Sequence, residues 1–377
     1  MANVYLDTNA STPLAREVIA EMRPLLAATF GNPSSGHWAS GAAPEILEKA
    51  RRRVAGLIGA EPTEIIFTSG GSESNNAVLQ GLFNAARGQP FHIITSRVEH
   101  PSIIEPCRFL EGLGAEVTYL GVDRQGLVDP ADVATAIRAE TAIITIIHAN
   151  NEVGAIEPLA EISAIAREKG VLVHTDAAQS LGKVPVNVDD LGVDYLTIVG
   201  HKIYAPKGIG ALYIRSGAPF QPLIHGGGHE GGRRSGTESV LMAAALGKAC
   251  EIAGEWVDSA KIRDLRDAFW SRLVEAFGDA VVLNGPPVKR LPNTLNISFP
   301  GHQGFEVLAR LPYLAASTGS ACHTGLTEVS PVLDAMGLDE KVAQGAIRFS
   351  LGRETTAEEI ERVAMDLIRL LAPGKPG

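Results

Sequence analysis

Asp176, Lys202, His100 and Cys322 stand in settings that suggest chemistry rather than packing. Lys202 closes DYLTIVGHK, residues 194–202, an apolar run that reads as a buried strand and stops at a histidine and an ammonium. An amine at the rim of a sheet either snorkels its head into water or is used by something. Asp176 ends VLVHTD, where a carboxylate is desolvated unless a cation or an N–H donor meets it. His100 follows a third apolar run, FHIITS, and could stack on a ring, exchange protons or serve as a satisfied structural residue. In TSGGSESNN two glycines allow close backbone approach, and Ser72 with the free amides of a following helix would cradle an anion. A turn with an N-cap reads equally well there. The stretch lacks the GK[ST] ending of a P-loop, which disfavours nucleotide triphosphate hydrolysis.

The elements that must carry these residues alternate from Glu64 to Ile214. EIIFTS, FHIITS, AEVTYL, AIITIIHA, VLVHTD, DYLTIVG and ALYIR read as strands, and helical segments separate most of them. This order predicts an α/β fold with a mostly parallel sheet flanked by helices, whose ligands bind beyond the carboxyl ends of the strands. Five strand ends carry polar or ionisable residues: GGSESNN, RVEHPS, NNEVG, DAAQS and HK. A phosphate cradle, a buried aspartate and a lysine around one cleft form the set that pyridoxal phosphate requires. A helical region from about Leu241 to Phe277 leads to shorter strands, NTLNISF, YLAAS and AIRFSL, expected in a smaller α+β unit. The expected division is a large domain over 13–255 and a small one over 1–12 and 256–377.

Composition sets the limits. The chain has 377 residues, more than one ordinary core holds, with 45% apolar and 20% charged residues. A net charge of −10 with no basic tract predicts no nucleic-acid partner. A first strand at Val4 leaves no room for a signal peptide, and no apolar run reaches the roughly 18 residues of a membrane span, so a cytoplasmic location is expected. Three cysteines without a CxxC support neither a disulfide framework nor a zinc site. Cys107 and Cys250 fall in apparent helices and read as small core residues. Cys322 lies in STGSACHTG, a stretch of small, flexible residues that no core helix would choose.

From YLDTNASTPL through FGNPSSGH, FTSGGSESNN, VEHPS, NNEVG, HTDAAQ, GHKIYAPKGIGALY, RSGTE, LPNTLNIS and GSAC to RFSLGR, the chain resembles the cysteine desulfurases of the class V aminotransferase superfamily. The resemblance runs nearly end to end and implies the fold-type I architecture of pyridoxal 5'-phosphate enzymes. It implies Lys202 as the Schiff-base amine, Asp176 at the ring nitrogen, Gln179 at the ring hydroxyl and His100 stacked on the ring. Gly71, Ser72 and His201 are implied at the phosphate, joined by Thr237 from the second subunit of a homodimer. Asn151 and Arg353 are implied at the substrate carboxylate, which an arginine fork suits. Cys322 is implied as the nucleophile that takes sulfur from L-cysteine, leaving alanine and a persulfide for an acceptor protein. Val199 stands where many desulfurases carry a phosphate-binding serine. TIVGHK, ACH and SPVL look like selenocysteine lyase, which makes L-selenocysteine the alternative substrate; a transaminase or β-eliminating lyase is a further alternative.

Overall fold

The structure, a computed structural model, describes residues 2–318, 322–323, 326–327 and 329–371, with side chains left aside at 322–323 and 326–327. Fifteen strands are assigned among the described residues. The first eight are β1 Val4–Tyr5, β2 Ile65–Thr68, β3 His92–Ser96, β4 Glu116–Leu120, β5 Thr141–Thr145, β6 Leu172–Asp176, β7 Tyr195–Val199 and β8 Gly210–Ile214. They are followed by β9 Val282–Asn284, β10 Thr294–Ser298, β11 Leu314–Ala315, β12 Ser317–Thr318, β13 Cys322–His323, β14 Leu326–Thr327 and β15 Ala346–Ser350.

The alternating segments of the sequence form one seven-stranded sheet in the order β2-β8-β7-β6-β5-β3-β4. Only β8 runs against its neighbours, so the other six strands bring their carboxyl ends to one edge. The two-residue period of the strands divides their side chains between two cores. Ile94, Ile144, Leu196 and Tyr213 face the helices Ala43–Ile58 and Val240–Ala253. Ile93, Ile143, Tyr195 and Leu212 face the helices Gly71–Ala85 and Pro101–Glu111. The result is a sheet covered on both sides, which is why its strands read as continuous apolar runs. Cys107 and Cys250 are buried in these cores, where burial pushes both thiols up to about 12.

A second sheet, β12-β15-β10-β9, is antiparallel. Helices Ala260–Phe277 and Ala357–Leu371 pack on it through Phe269, Leu273, Val363 and Leu367. Phe269 meets Phe349 edge to face at 5.1 Å. The chain's start belongs to this unit, because β1 pairs in parallel with β11.

The expected helical region from 241 to 277 is two helices, broken between Ala253 and Ala260. Val257 is non-helical and Asp258 takes φ +53, so the backbone ladder cannot continue. The Asp258 N–H donates instead to the carbonyl of Lys183 at 2.9 Å. No helix among the described residues is long and apolar enough to cross a membrane.

Candidate active site

The carboxyl ends of β6 and β7, the start of helix Gly71–Ala85 and the segment after β1 border one cleft. Gly71, Ser72, His100, Asn151, Asp176, Gln179, His201 and Lys202 all line it.

Asp176 is buried, yet both carboxylate oxygens are met: Oδ2 accepts from Asn75 Nδ2 at 2.8 Å and Oδ1 from the Ala178 N–H at 2.9 Å. Asn75 also donates to Ser102 Oγ at 2.8 Å, and Ser102 Oγ lies 2.8 Å from His100 Nδ1. One chain of bonds thus fixes Asp176 and His100 relative to each other. The low-polarity walls lower the pKa of the His100 imidazole, against the pull of Asp176.

Lys202 sits in a single 3₁₀ turn directly after β7. Its Nζ donates to the carbonyls of Asn9 at 2.6 Å and Ala10 at 2.8 Å. Burial, with Arg348 nearby, brings the Lys202 ammonium down to about 8, while Asp176 and Asp7 pull the other way. The neighbouring His201 is brought down to about 4 by burial, helped by Lys202 and Lys207. Gln179 is held at both ends of its amide: Nε2 donates to Asn9 O at 2.9 Å and Oε1 accepts from Lys183 Nζ at 2.7 Å.

At the opposite end of the cleft, Gly70 at φ +148 precedes the helix that begins with Gly71. A Cβ on Gly71 would lie 2.7 Å from Val199 Cγ2, so only glycine fits at this approach. The amides of Gly71 and Ser72 belong to the first helical turn, which has no acceptors of its own, and the helix dipole adds positive character there.

One expected residue is placed differently. Arg353 does not line the cleft; it lines an adjoining apolar chamber, pairs with Glu17 at 3.0 Å and stacks on Tyr204 and Trp256 at 5.2 and 5.1 Å. The residue expected at the substrate carboxylate thus stands beside the cleft, with its Nε and Nη1 buried and unpartnered. The arginine in the cleft is Arg348, from the middle of β15, which donates to the Asn151 carbonyl at 3.0 Å and to Asp7 Oδ1 at 2.7 Å. Its Nε is buried without a partner. Thr237 is exposed and outside the cleft of its own chain. Cys322 lies on β13, which pairs with β14 through Cys322↔Thr327; its side chain lies outside the described residues.

Arg348, Asn9 and Asn75 are the site residues that sequence reasoning missed. Arg348 had a readable signal, a guanidinium inside the buried run AIRFS. Asn9 and Asn75 had none of that kind.

A sheet with these strand ends, this amine and this carboxylate belongs to a recognisable class. Residues 4–363 match the model of the family described as aminotransferase class-V. The chain belongs to the class-V aminotransferase family. It is 48% identical to a cysteine desulfurase IscS of Dictyoglomus turgidum, over 99% of this chain and 97% of that protein. A solved structure described as a NifS-like protein matches with a TM-score of 0.90 and 36% identity, covering 98% of this chain and 99% of that one. A second, described as SspA in complex with cysteine, matches with a TM-score of 0.82 and 38% identity over 92% of this chain and 98% of that one.

Proposed function

We propose that this chain is a pyridoxal 5'-phosphate-dependent cysteine desulfurase that converts L-cysteine to L-alanine and keeps the sulfur as a persulfide on Cys322. One observation carries the reading: an amine with a lowered pKa, a fixed carboxylate, a histidine, an anion cradle and a guanidinium all face one cleft, in a chain whose relatives are named cysteine desulfurases along nearly its whole length.

The residues fit the cofactor. The close approach of Gly71 to Val199 leaves the first-turn amides open to a phosphate. Val199 offers no hydroxyl, so the phosphate falls to Gly71, Ser72, His201 and Thr237 of a second subunit in a homodimer. Asp176 would pair with the ring nitrogen, Gln179 would bond the ring hydroxyl, His100 would lie against the ring and Lys202 would join the aldehyde. When bound, the cofactor supplies an electron-withdrawing ring that acidifies the hydrogen on the substrate's Cα.

The chain's own residues do the rest. Arg348, with Asn151 beside it, binds the substrate carboxylate; its unpartnered Nε is free for a charged acceptor. Lys202 takes the Cα proton at Nζ. The Cys322 thiolate attacks the substrate sulfur: an S–S bond forms and the C–S bond breaks, oxidising the sulfur pair to a persulfide while Cβ gains a proton to become the methyl of alanine and Lys202 returns a proton to Cα. The persulfide then passes to an acceptor protein. The division into 13–255 and 1–12 with 256–377 suits this cycle, since it sets the cofactor on one unit and the sulfur carrier on the other. The absence of a membrane-crossing helix among the described residues is compatible with a cytoplasmic setting.

The relatives reported are named for cysteine, so the selenocysteine lyase reading is not favoured. Cysteine given to purified holoprotein should yield alanine and an equal amount of Cys322 persulfide in the first turnover, read by mass spectrometry. C322A should keep the visible band of bound cofactor and lose alanine formation by at least about a hundredfold. Alanine from selenocysteine alone would favour the lyase, and unchanged turnover in C322A would remove the persulfide step.

A further inference from the structure

The mechanism above leaves one amine beside the cleft unused. Lys183 does not line the cleft; it lines the adjoining chamber together with Trp256 and Ile262. Its Nζ donates to Gln179 Oε1 at 2.7 Å and to Asn9 Oδ1 at 3.2 Å. Among the described residues no ion pair joins it to a carboxylate. Burial pulls this ammonium well below the usual lysine range, with Lys202 and Arg348 adding to the shift. A side chain held at such cost, with neutral acceptors only, is explained by what those acceptors touch.

Both acceptors touch the cleft. Asn9 presents its main-chain carbonyl to Gln179 Nε2 and Lys202 Nζ, and its side-chain oxygen also accepts from Asn293 Nδ2 at 3.0 Å. The Asn9 carbonyl can only accept, so the amide turns its nitrogen to Asn9 and its oxygen to Lys183, which donates to it. That nitrogen carries two hydrogens, and Asn9 O takes one. The second is available to a neighbouring acceptor.

We propose that Lys183 is a positioning residue for cofactor binding: by holding Gln179 Oε1 it presents the Gln179 N–H to the ring hydroxyl of pyridoxal phosphate. The inference rests on the reading of Gln179 given above. It assigns Lys183 no contact with the cofactor. Its removal leaves the amide oxygen as a buried acceptor without a partner, and the amide swings to find one.

The test measures affinity of the apoprotein for pyridoxal 5'-phosphate and for the analogue in which the ring hydroxyl is replaced by hydrogen. K183M should lose about tenfold for the natural cofactor and little for the analogue. Q179L should show the same selective loss, and the double variant should lose no more than Q179L alone, because the two residues act as one unit. K183R, which restores a donor, should recover the preference. Loosened packing would instead weaken both ligands equally in K183M, and that result would overturn the proposal, as would a selective loss in Q179L that K183M and K183Q do not share. If Q179L binds both ligands like the wild type, the reading of Gln179 fails first and the proposal falls with it.

Discussion

The surroundings of Lys202 suit the aldehyde capture proposed for it. Burial and Arg348 bring its ammonium down to about 8, so the neutral amine becomes abundant well below the pH at which an ordinary lysine loses its proton. The rate at which apoprotein captures pyridoxal phosphate should therefore rise with pH and level off above about 8; a rise continuing to about 10 would show an amine in water. The two arginines should separate just as clearly. R348A removes the arginine proposed for the substrate carboxylate and should raise KM for cysteine roughly 10- to 100-fold in steady-state assays. R353A loses the Glu17 pair and the stacking on Tyr204 and Trp256. It should leave KM nearly unchanged and lower stability by about 1 kcal/mol in urea unfolding.

At the scale of elements, two glycines that look alike have different tasks. A Cβ on Gly247 would lie 2.7 Å from Ala50 Cα, at the crossing of helices Ala43–Ile58 and Val240–Ala253. One on Gly210, in β8, would lie 2.5 Å from the Ile198 carbonyl oxygen and 2.8 Å from Gly70 Cα, just before the helix Gly71–Ala85. G247A should cost about 1–3 kcal/mol of stability, seen as a lower urea midpoint, with cofactor affinity unchanged. G210A should displace the Gly70 backbone and weaken cofactor affinity about tenfold or more in titrations of the apoprotein. The strand ends explain how much of the site was legible in the sequence. Lys202, Asp176 and His100 follow the ends of apolar runs, so the fold's edge was marked residue by residue. Arg348 sits inside a run, and its partner Asp7 lies 341 residues away, a pairing no local spacing encodes. Arg353 was the more visible arginine because it follows the strand in RFSLGR, yet the chain has turned out of the cleft by then, and the Arg353 N–H is bonded to Tyr204 Oη at 2.9 Å. The break at Asp258 was hidden for a similar reason, since the Lys183 carbonyl that receives its N–H comes from a distant turn.

The whole molecule also carries a pH signature apart from catalysis. Burial raises the carboxyls of Glu99 and Glu157 to about 8 each. Both folded-state values exceed the ordinary carboxylate value, so the folded protein holds protons that the unfolded chain releases. Their contribution to stability is fully present below about pH 4 and is lost as pH rises through about 8. Thermal midpoints should show it: the double variant E99Q/E157Q should decline less than wild type between pH 5 and 8, and parallel curves would contradict the burial argument. The cleft also joins distant parts of the chain. Asn9, which receives Lys202, donates its main-chain N–H to Ser350 Oγ at 2.9 Å, and Thr8 Oγ1 donates to the Leu351 carbonyl at 2.7 Å. During translation the lysine thus emerges from the ribosome long before the residues that anchor its dock. Nascent chains stalled short of residue 348 hold this amine without its completed surroundings, and the proposed vitamin loading would be an event of the finished polypeptide.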